Sequence, residues 1–310
     1  MLKEFAVDPG LIASSFETCR YLMSQFGADK GRLISKFPKT WKKLAIAATD
    51  HLPDGYKKER TVEYLAGISN EWLMLVASNR PYLDPAGDWL SNARAAQAEK
   101  PFSAILCDHD EPANQLIDGN TCDDTNPLFA VNRTCPVNRG AQDLAQAAAL
   151  MLQNCHYLRL IDPYFDPRRP KWRNPLAAIL GLIPNASKVR CEYHLMERDD
   201  SPATAETIRR LRQLVGVIPQ GCAVHFIRWR EKQGGERFHR RYLLTENAGL
   251  SYEGGLDEAT DANQTTDVSL LDRGHHAERW AEYHLDAQVY ELVEPVLCVD
   301  AAGNVKEVGP

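Results

Sequence analysis

Arg237-Phe238-His239-Arg240-Arg241-Tyr242-Leu243-Leu244 is followed, after a polar stretch, by Gly254-Gly255-Leu256-Asp257. The run predicts a strand from His239 to Leu244, a turn near Asn247-Ala248-Gly249 and a returning strand through Leu250-Ser251-Tyr252. Alternate side chains of a strand share a face, so His239 and Arg241 are expected to project together, with Leu243 beyond them. A ring nitrogen beside a permanent cation suits binding a phosphate, attacking it or protonating it. Gly254 and Gly255 would let the backbone approach that phosphate closely.

Strands and helices alternate outward from this hairpin. Asp143–Asn154 and Leu176–Leu182 are expected helices, and Tyr157–Ile161 and Val189–Leu195 buried strands. Thr204–Val215 carries apolar residues at Ala205, Ile208, Leu211 and Val215, a helical spacing with Ser201 as upstream cap. Ala223–Ile227 and Val268–Leu271 complete the central strands, and His276–Leu285 is a further helix. Val289–Val299 and Val305–Val308, around Ala301-Ala302-Gly303-Asn304, form a closing hairpin. The expectation for residues 139–310 is an α/β domain, a mixed β-sheet flanked by helices. Side chains at a strand's C-terminal end open into the crevice where α/β proteins bind ligands. Asp162 and Tyr164, in Asp162-Pro163-Tyr164-Phe165-Asp166, are therefore candidate ligand-binding residues. The same segment reads equally as a turn fixed by Pro163, with Phe165 in the core.

Residues 1–100 read as a helical module. Leu11, Phe16, Cys19, Leu22, Met23 and Phe26 make a helical stripe that Gly27 ends. Trp41–Ala48, Glu59–Ser78 and Asp88–Ala98 follow as helices, the last stopped before Pro101. Lys30, Arg32, Lys36, Lys39, Lys42 and Lys43 interleave with Leu33, Ile34, Phe37 and Trp41, a pattern for an amphipathic basic face or a docking surface for an acidic partner. Arg168, Arg169, Lys171, Trp172 and Arg173 form a second basic cluster, after the Asp162 strand end. Residues 101–138 read as an irregular connecting region holding one short strand, Phe102–Cys107.

The 310 residues carry a net charge of −6, which excludes a protein coated in positive charge but not a local basic patch. No apolar run approaches the roughly 20 residues of a membrane span, and Met1-Leu2-Lys3-Glu4-Phe5 lacks the layout of a secretory signal. The expected location is cytoplasmic. The eight cysteines include no C-x-x-C pair and are expected as reduced, buried thiols. Cys107, His109, Cys122 and Cys135 are the tightest candidate metal group, at a spacing that matches no common zinc pattern. Asp108, Asp110 and Glu111 are alternative divalent-cation ligands, or a solvated acidic loop.

His239-x-Arg241, four residues, Glu246 and then Gly254-Gly255-Leu256-Asp257 resembles the phospholipase D superfamily signature, H-x-K-x(4)-D followed by G-S/G-x-N. The degenerate H-x-R version, as in the C-terminal domain of MIT-domain proteins, is more similar still, over about residues 139–290. The resemblance implies a phospholipase D-like fold, with His239, Arg241 and Glu246 at the catalytic positions and Gly254, Gly255 and Asp257 lining the ligand. Arg241 stands at the Lys position, Glu246 at the Asp position and Gly255 at the Ser position. Strand parity puts Glu246 on the face opposite His239. The active superfamily site needs two such motifs, one His to attack and one to protonate; this chain has one. Single-motif members pair two copies in a dimer. His225, His275, His276 and His284 are the alternatives for a second acid.

Two functions stay open. One is a non-catalytic recognition or scaffold protein that binds a phosphate-bearing ligand, nucleic acid or acidic lipid, through His239 and Arg241, and a protein partner through the N-terminal module. The other is a metal-independent phosphodiesterase or nuclease working as a homodimer, with His239 attacking phosphorus. Neither calls for a metal or organic cofactor. The altered Lys, Asp and Ser positions favour the first. Bacterial members of the superfamily often serve in phage defence, a context the resemblance alone implies.

Overall fold

The computed structural model describes residues 1–68, 73–85, 87–261 and 263–309. Contacts divide the chain into two compact units, Met1–Arg133 and Thr134–Pro310. Both are α/β.

In the first unit, β1 (Lys3–Val7) is followed by α1 (Pro9–Ile12), α2 (Phe16–Gln25), β2 (Arg32–Lys36), α3 (Trp41–Ala47) and α4 (Tyr56–Gly67). Then come β3 (Leu75–Ala77), α5 (Trp89–Glu99), β4 (Ala104–Cys107) and β5 (Leu116–Asp118). The strands form one parallel sheet in the order β3-β2-β1-β4-β5. The expected purely helical module is therefore corrected, and so is the irregular region, which contributes β4 and β5. Parallel strands covered on both faces read as short continuous apolar runs rather than alternating ones. Phe5-Ala6-Val7, Leu33-Ile34 and Ala104–Cys107 are all buried and show no period. The helix expected over Glu59–Ser78 ends at Gly67; part of it, residues 69–72, lies outside the described residues, and β3 follows. The helical stripe from Phe16 onward is real, with Ser15 capping α2 by accepting from the Thr18 N–H at 3.0 Å.

The basic stretch Lys30–Lys43 is not one amphipathic helix: it spans β2 and the start of α3. Arg32 is buried, paired with Asp124 and seated 4.1 Å from the Phe129 ring centroid. Lys42 donates to the Ala66 and Ile68 carbonyls. Several of these cations are thus spent inside the unit.

The second unit begins with β6 (Thr134–Asn138), α6 (Ala141–Gln146), α7 (Ala149–Leu152), β7 (Tyr157–Ile161), α8 (Pro170–Gly181) and β8 (Arg190–Met196). It continues through α9 (Thr204–Leu211), β9 (Ala223–Arg230), β10 (Tyr242–Thr245), β11 (Ala248–Tyr252), β12 (Thr265–Leu270), α10 (Arg273–Glu282), β13 (Glu291–Asp300) and β14 (Val305–Val308). Nine strands form a mixed sheet in the order β14-β13-β9-β8-β7-β10-β11-β12-β6. Only β7, β8 and β9 run parallel; the other pairs are antiparallel.

Strand parity gives the sheet two faces. Ile161, Ile227, Trp229, Tyr242 and Leu244 pack with Leu271, Tyr283 and Tyr290 on one side. That side also buries an ionic group: Arg159 Nε donates to Glu192 Oε2 at 3.0 Å, and Arg190 Nε to Glu192 Oε1 at 2.9 Å. Trp229 Nε1 donates to His194 Nδ1 at 2.9 Å, which fixes a neutral imidazole with His194 Nε2 3.3 Å from Glu192. On the opposite face Phe165 packs on Tyr193 and Phe226, with centroids at 4.3 and 5.7 Å. Asp162 and Arg241 follow the parity of this second face. Among the described residues no helix is long and apolar enough to cross a membrane.

Candidate functional site

β7 stops at Ile161, whose partner on β10 is Tyr242. The residues just beyond that pair, Asp162 and Arg241, therefore sit side by side at the C-terminal end of the parallel strands. Asp162 is 1% exposed. Its Oδ1 accepts from the Tyr164 N–H at 2.9 Å and its Oδ2 from the Leu256 N–H at 3.2 Å. Burial pushes its carboxyl up from the usual aspartate range; the two N–H donors and the Arg241 charge pull it back. Asp162 is thus the post that ties the 162–166 turn to the 254–257 loop.

Arg241 is held differently. Its Nη1 donates to the Glu253 carbonyl at 3.3 Å, and its guanidinium lies 5.1 Å from the Tyr164 ring centroid. Its Nε is buried with no hydrogen-bond partner. The Nε atoms of Arg139, Arg228, Arg240 and Arg279 are also buried without a partner; Arg241 is the one of the five that stands beside Asp162 and Tyr164.

The glycine pair has a structural reason other than the one expected. Gly255 has φ +102, and a Cβ there would lie 2.8 Å from Asp257 Oδ1. The Gly254 N–H donates to Thr266 Oγ1 at 2.7 Å, and the Gly255 N–H to the Tyr252 carbonyl at 3.3 Å. Both backbone donors are spent inside the loop, so the pair shapes the turn rather than presenting N–H groups to a ligand.

Asp257 lies 2.7 Å from Arg139 Nη2 and 2.8 Å from Lys171 Nζ. Glu258 continues this docking, accepting from the Ala141 N–H at 3.2 Å and from Asn174 Nδ2 at 2.7 Å. Arg139 and Lys171 are site residues that sequence reasoning did not single out individually. Lys171 lay within the second basic cluster; Arg139 left no signal, because its partner is 118 residues away.

Of the expected catalytic residues, His239 lies outside the strand expected to carry it, and Glu246 is not brought to this group. His239 is exposed and precedes β10, which begins only at Tyr242. Its Nδ1 faces the Arg237 carbonyl at 3.1 Å. Glu246 sits past the other end of β10, roughly 17 Å along the strand direction from Arg241. There its carboxylate accepts from the His156 and Tyr157 N–H groups at 2.8 and 3.0 Å, fixing the start of β7. The other histidines are engaged elsewhere. His276 contacts the Thr245 carbonyl, His225 the Cys191 carbonyl, His284 Asp286, and His156 Glu246. His275 lies near the Tyr242 ring. Burial lowers the pKa of His194, His225 and His276.

Tyr164, 43% exposed and 5.1 Å from the Arg241 guanidinium, lines a cleft of about 260 Å³. The cleft is walled by Phe165, Met196, Leu211, Arg198 and Arg210. The Arg198 guanidinium lies 4.8 Å from the Tyr164 ring centroid.

Of the expected metal group Cys107, His109, Cys122 and Cys135, the last belongs to the second unit, and in the first unit Cys122 Sγ points to the Gly119 carbonyl. Cys107, Asp108 and His109 do bring ligand atoms within 4.8 Å of one another. Asp110 and Glu111 are occupied, by the Asp118 N–H and by Arg94. The strand order reverses between β1 and β4, the place where open parallel sheets bind ligands. Asp8 follows β1, Asp108 follows β4 and Asp88 precedes α5. Burial raises the Asp8 pKa, and Asp108 and Asp88 add to the rise. All eight cysteines are free thiols and six are buried, as expected for small apolar residues.

Comparison with protein-family models finds no match, and neither does comparison with curated proteins. Among solved structures, the chain is similar to one described as TrmBL2, an archaeal chromatin protein with a novel mode of DNA binding. The identity is 18%, over 49% of this chain and 52% of that one, with a TM-score of 0.27. A likeness this distant carries no argument about ligand or fold.

Proposed function

We propose that the second unit is a degenerate phospholipase D-like module that recognises a phosphate group without cleaving it. The observation that carries this reading is Arg241: its buried Nε lacks a partner, and its other recorded hydrogen bond is long. Guanidinium geometry suits two parallel charge-assisted bonds to one phosphate. Asp257 stands beside it with Arg139 and Lys171, so the group carries three cations and two carboxylates. A ligand anion is favoured over a cation by that balance. The phosphate-bearing ligand is a nucleic acid or an acidic lipid headgroup. The absence of a histidine bonded to this group disfavours nucleophilic chemistry in one copy. The dimeric nuclease would need two His239 rings to meet.

Titration with inorganic phosphate, together with hydrolysis of a generic phosphodiester, tests the reading on wild type, Arg241→Met and His239→Ala. Binding lost in Arg241→Met alone, with no hydrolysis, supports it. Hydrolysis abolished by His239→Ala would establish the dimeric enzyme instead.

A further inference from the structure

The phosphate reading leaves Tyr164 unused. Large exposed aromatic side chains are few in this chain, and Tyr164 is not loosely placed. Its N–H is fixed to Asp162, Pro163 restricts the preceding residue, and Phe165 anchors the turn on Tyr193. The ring lines the cleft and lies 5.1 Å from the Arg241 guanidinium.

Arg198 gives the ligand's shape. Its guanidinium is 4.8 Å from the ring centroid, and its other side-chain contact is Nε to Met196 Sδ at 3.4 Å. It is exposed and forms no ion pair among the described residues. Lifting it to roughly 7 Å would admit one flat ring between tyrosine and guanidinium, with van der Waals contact on both sides. The cleft floor at Phe165 and Met196 is apolar, while Ser201, Thr207 and Arg210 offer hydrogen-bonding groups at its walls. Flat, apolar-faced and polar-edged describes a nucleobase, not an acyl chain.

We infer that this cleft seats a base of a single-stranded nucleic acid whose phosphate is held by Arg241. The inference rests on the phosphate reading and adds to it the class of ligand. A base must leave its duplex to enter between Tyr164 and Arg198, so single strands bind in preference to duplexes. Stacking on an aromatic ring tolerates all four bases, and the strand is held without strong sequence preference.

The test uses the full chain and fluorescence anisotropy with four labelled probes: a single-stranded 12-mer, its abasic counterpart with the same phosphates, its duplex, and anionic phosphatidylserine vesicles. The single strand is expected to bind about 10-fold more tightly than the abasic strand. Tyr164→Ala should bring the two to the same affinity, whereas Tyr164→Phe keeps the difference. Equal binding of single and abasic strands by wild type, still lost in Arg241→Met, would overturn the base seat while the phosphate reading stands. Failure of all probes and of inorganic phosphate would overturn both. Tyr164-dependent binding to vesicles without binding to oligonucleotides would overturn the nucleic-acid assignment in favour of a lipid headgroup.

Discussion

Replacing Arg241 by Met should separate binding from folding. In the free protein the guanidinium contributes one long bond to the Glu253 carbonyl and a distant contact with Tyr164. Together these are worth about 1 kcal/mol. Against them stands the orphan Nε, whose desolvation costs about 1–3 kcal/mol. Asp162 loses a helpful charge in the variant, which returns part of the difference. The terms nearly cancel, so unfolding free energy should change by no more than about 1 kcal/mol, or roughly 2–4 °C in Tm. Binding is different. A bidentate guanidinium–phosphate contact is worth about 1.5–3 kcal/mol, so affinity should fall by roughly 10- to 150-fold. Calorimetric titration with inorganic phosphate and a thermal melt of the same samples read both quantities. A melt lowered by more than about 8 °C would show that Arg241 is a structural residue and refute the reasoning. So would unchanged phosphate affinity.

Glu246→Ala should behave in the opposite way. It removes two charge-assisted bonds to the start of β7 and should cost about 2 kcal/mol in chemical denaturation, with phosphate affinity of the folded protein unaltered. Gly255→Ala forces φ +102 on a residue with a Cβ and brings that atom 2.8 Å from Asp257 Oδ1; a loss of about 2 kcal/mol is expected, and a neutral effect would contradict the loop geometry. Stability should also fall on mild acidification. Burial lowers the pKa of His194, His225 and His276, so below about pH 6.5 the unfolded chain takes up protons that the folded chain refuses. Each histidine contributes stability that is fully present above pH 6.5 and is lost, at up to about 1.4 kcal/mol per pH unit, as pH falls toward its folded pKa. Denaturation midpoints between pH 7.5 and 5 measure this, and a flat profile would show that the three rings titrate normally in the fold.

The second unit was legible because its strands announce their ends. Asp162-Pro163 closes β7, Gly254-Gly255 turns the chain after β11, and Asp300–Asn304 joins β13 to β14. The first unit was not. Its strands are three to five residues long and buried on both faces, so Leu75–Ala77 and Leu116–Asp118 carry neither alternation nor β-rich length. Within the site, Asp162, Tyr164, Arg241, Gly255 and Asp257 come together as the spacing suggested. The strand that was expected to carry His239 starts three residues later, at Tyr242. Arg139 was invisible because an ion pair across 118 residues has no local pattern.

The most direct measurement is the position of a bound anion. Crystals of the full chain soaked in tungstate, a heavy phosphate mimic, would locate it by anomalous scattering. The account predicts one tungstate within hydrogen-bonding distance of the Arg241 guanidinium, beside Gly255 and Tyr164, and none at that place in Arg241→Met. Tungstate bound only elsewhere, with the Arg241 Nε still unpartnered, would contradict it.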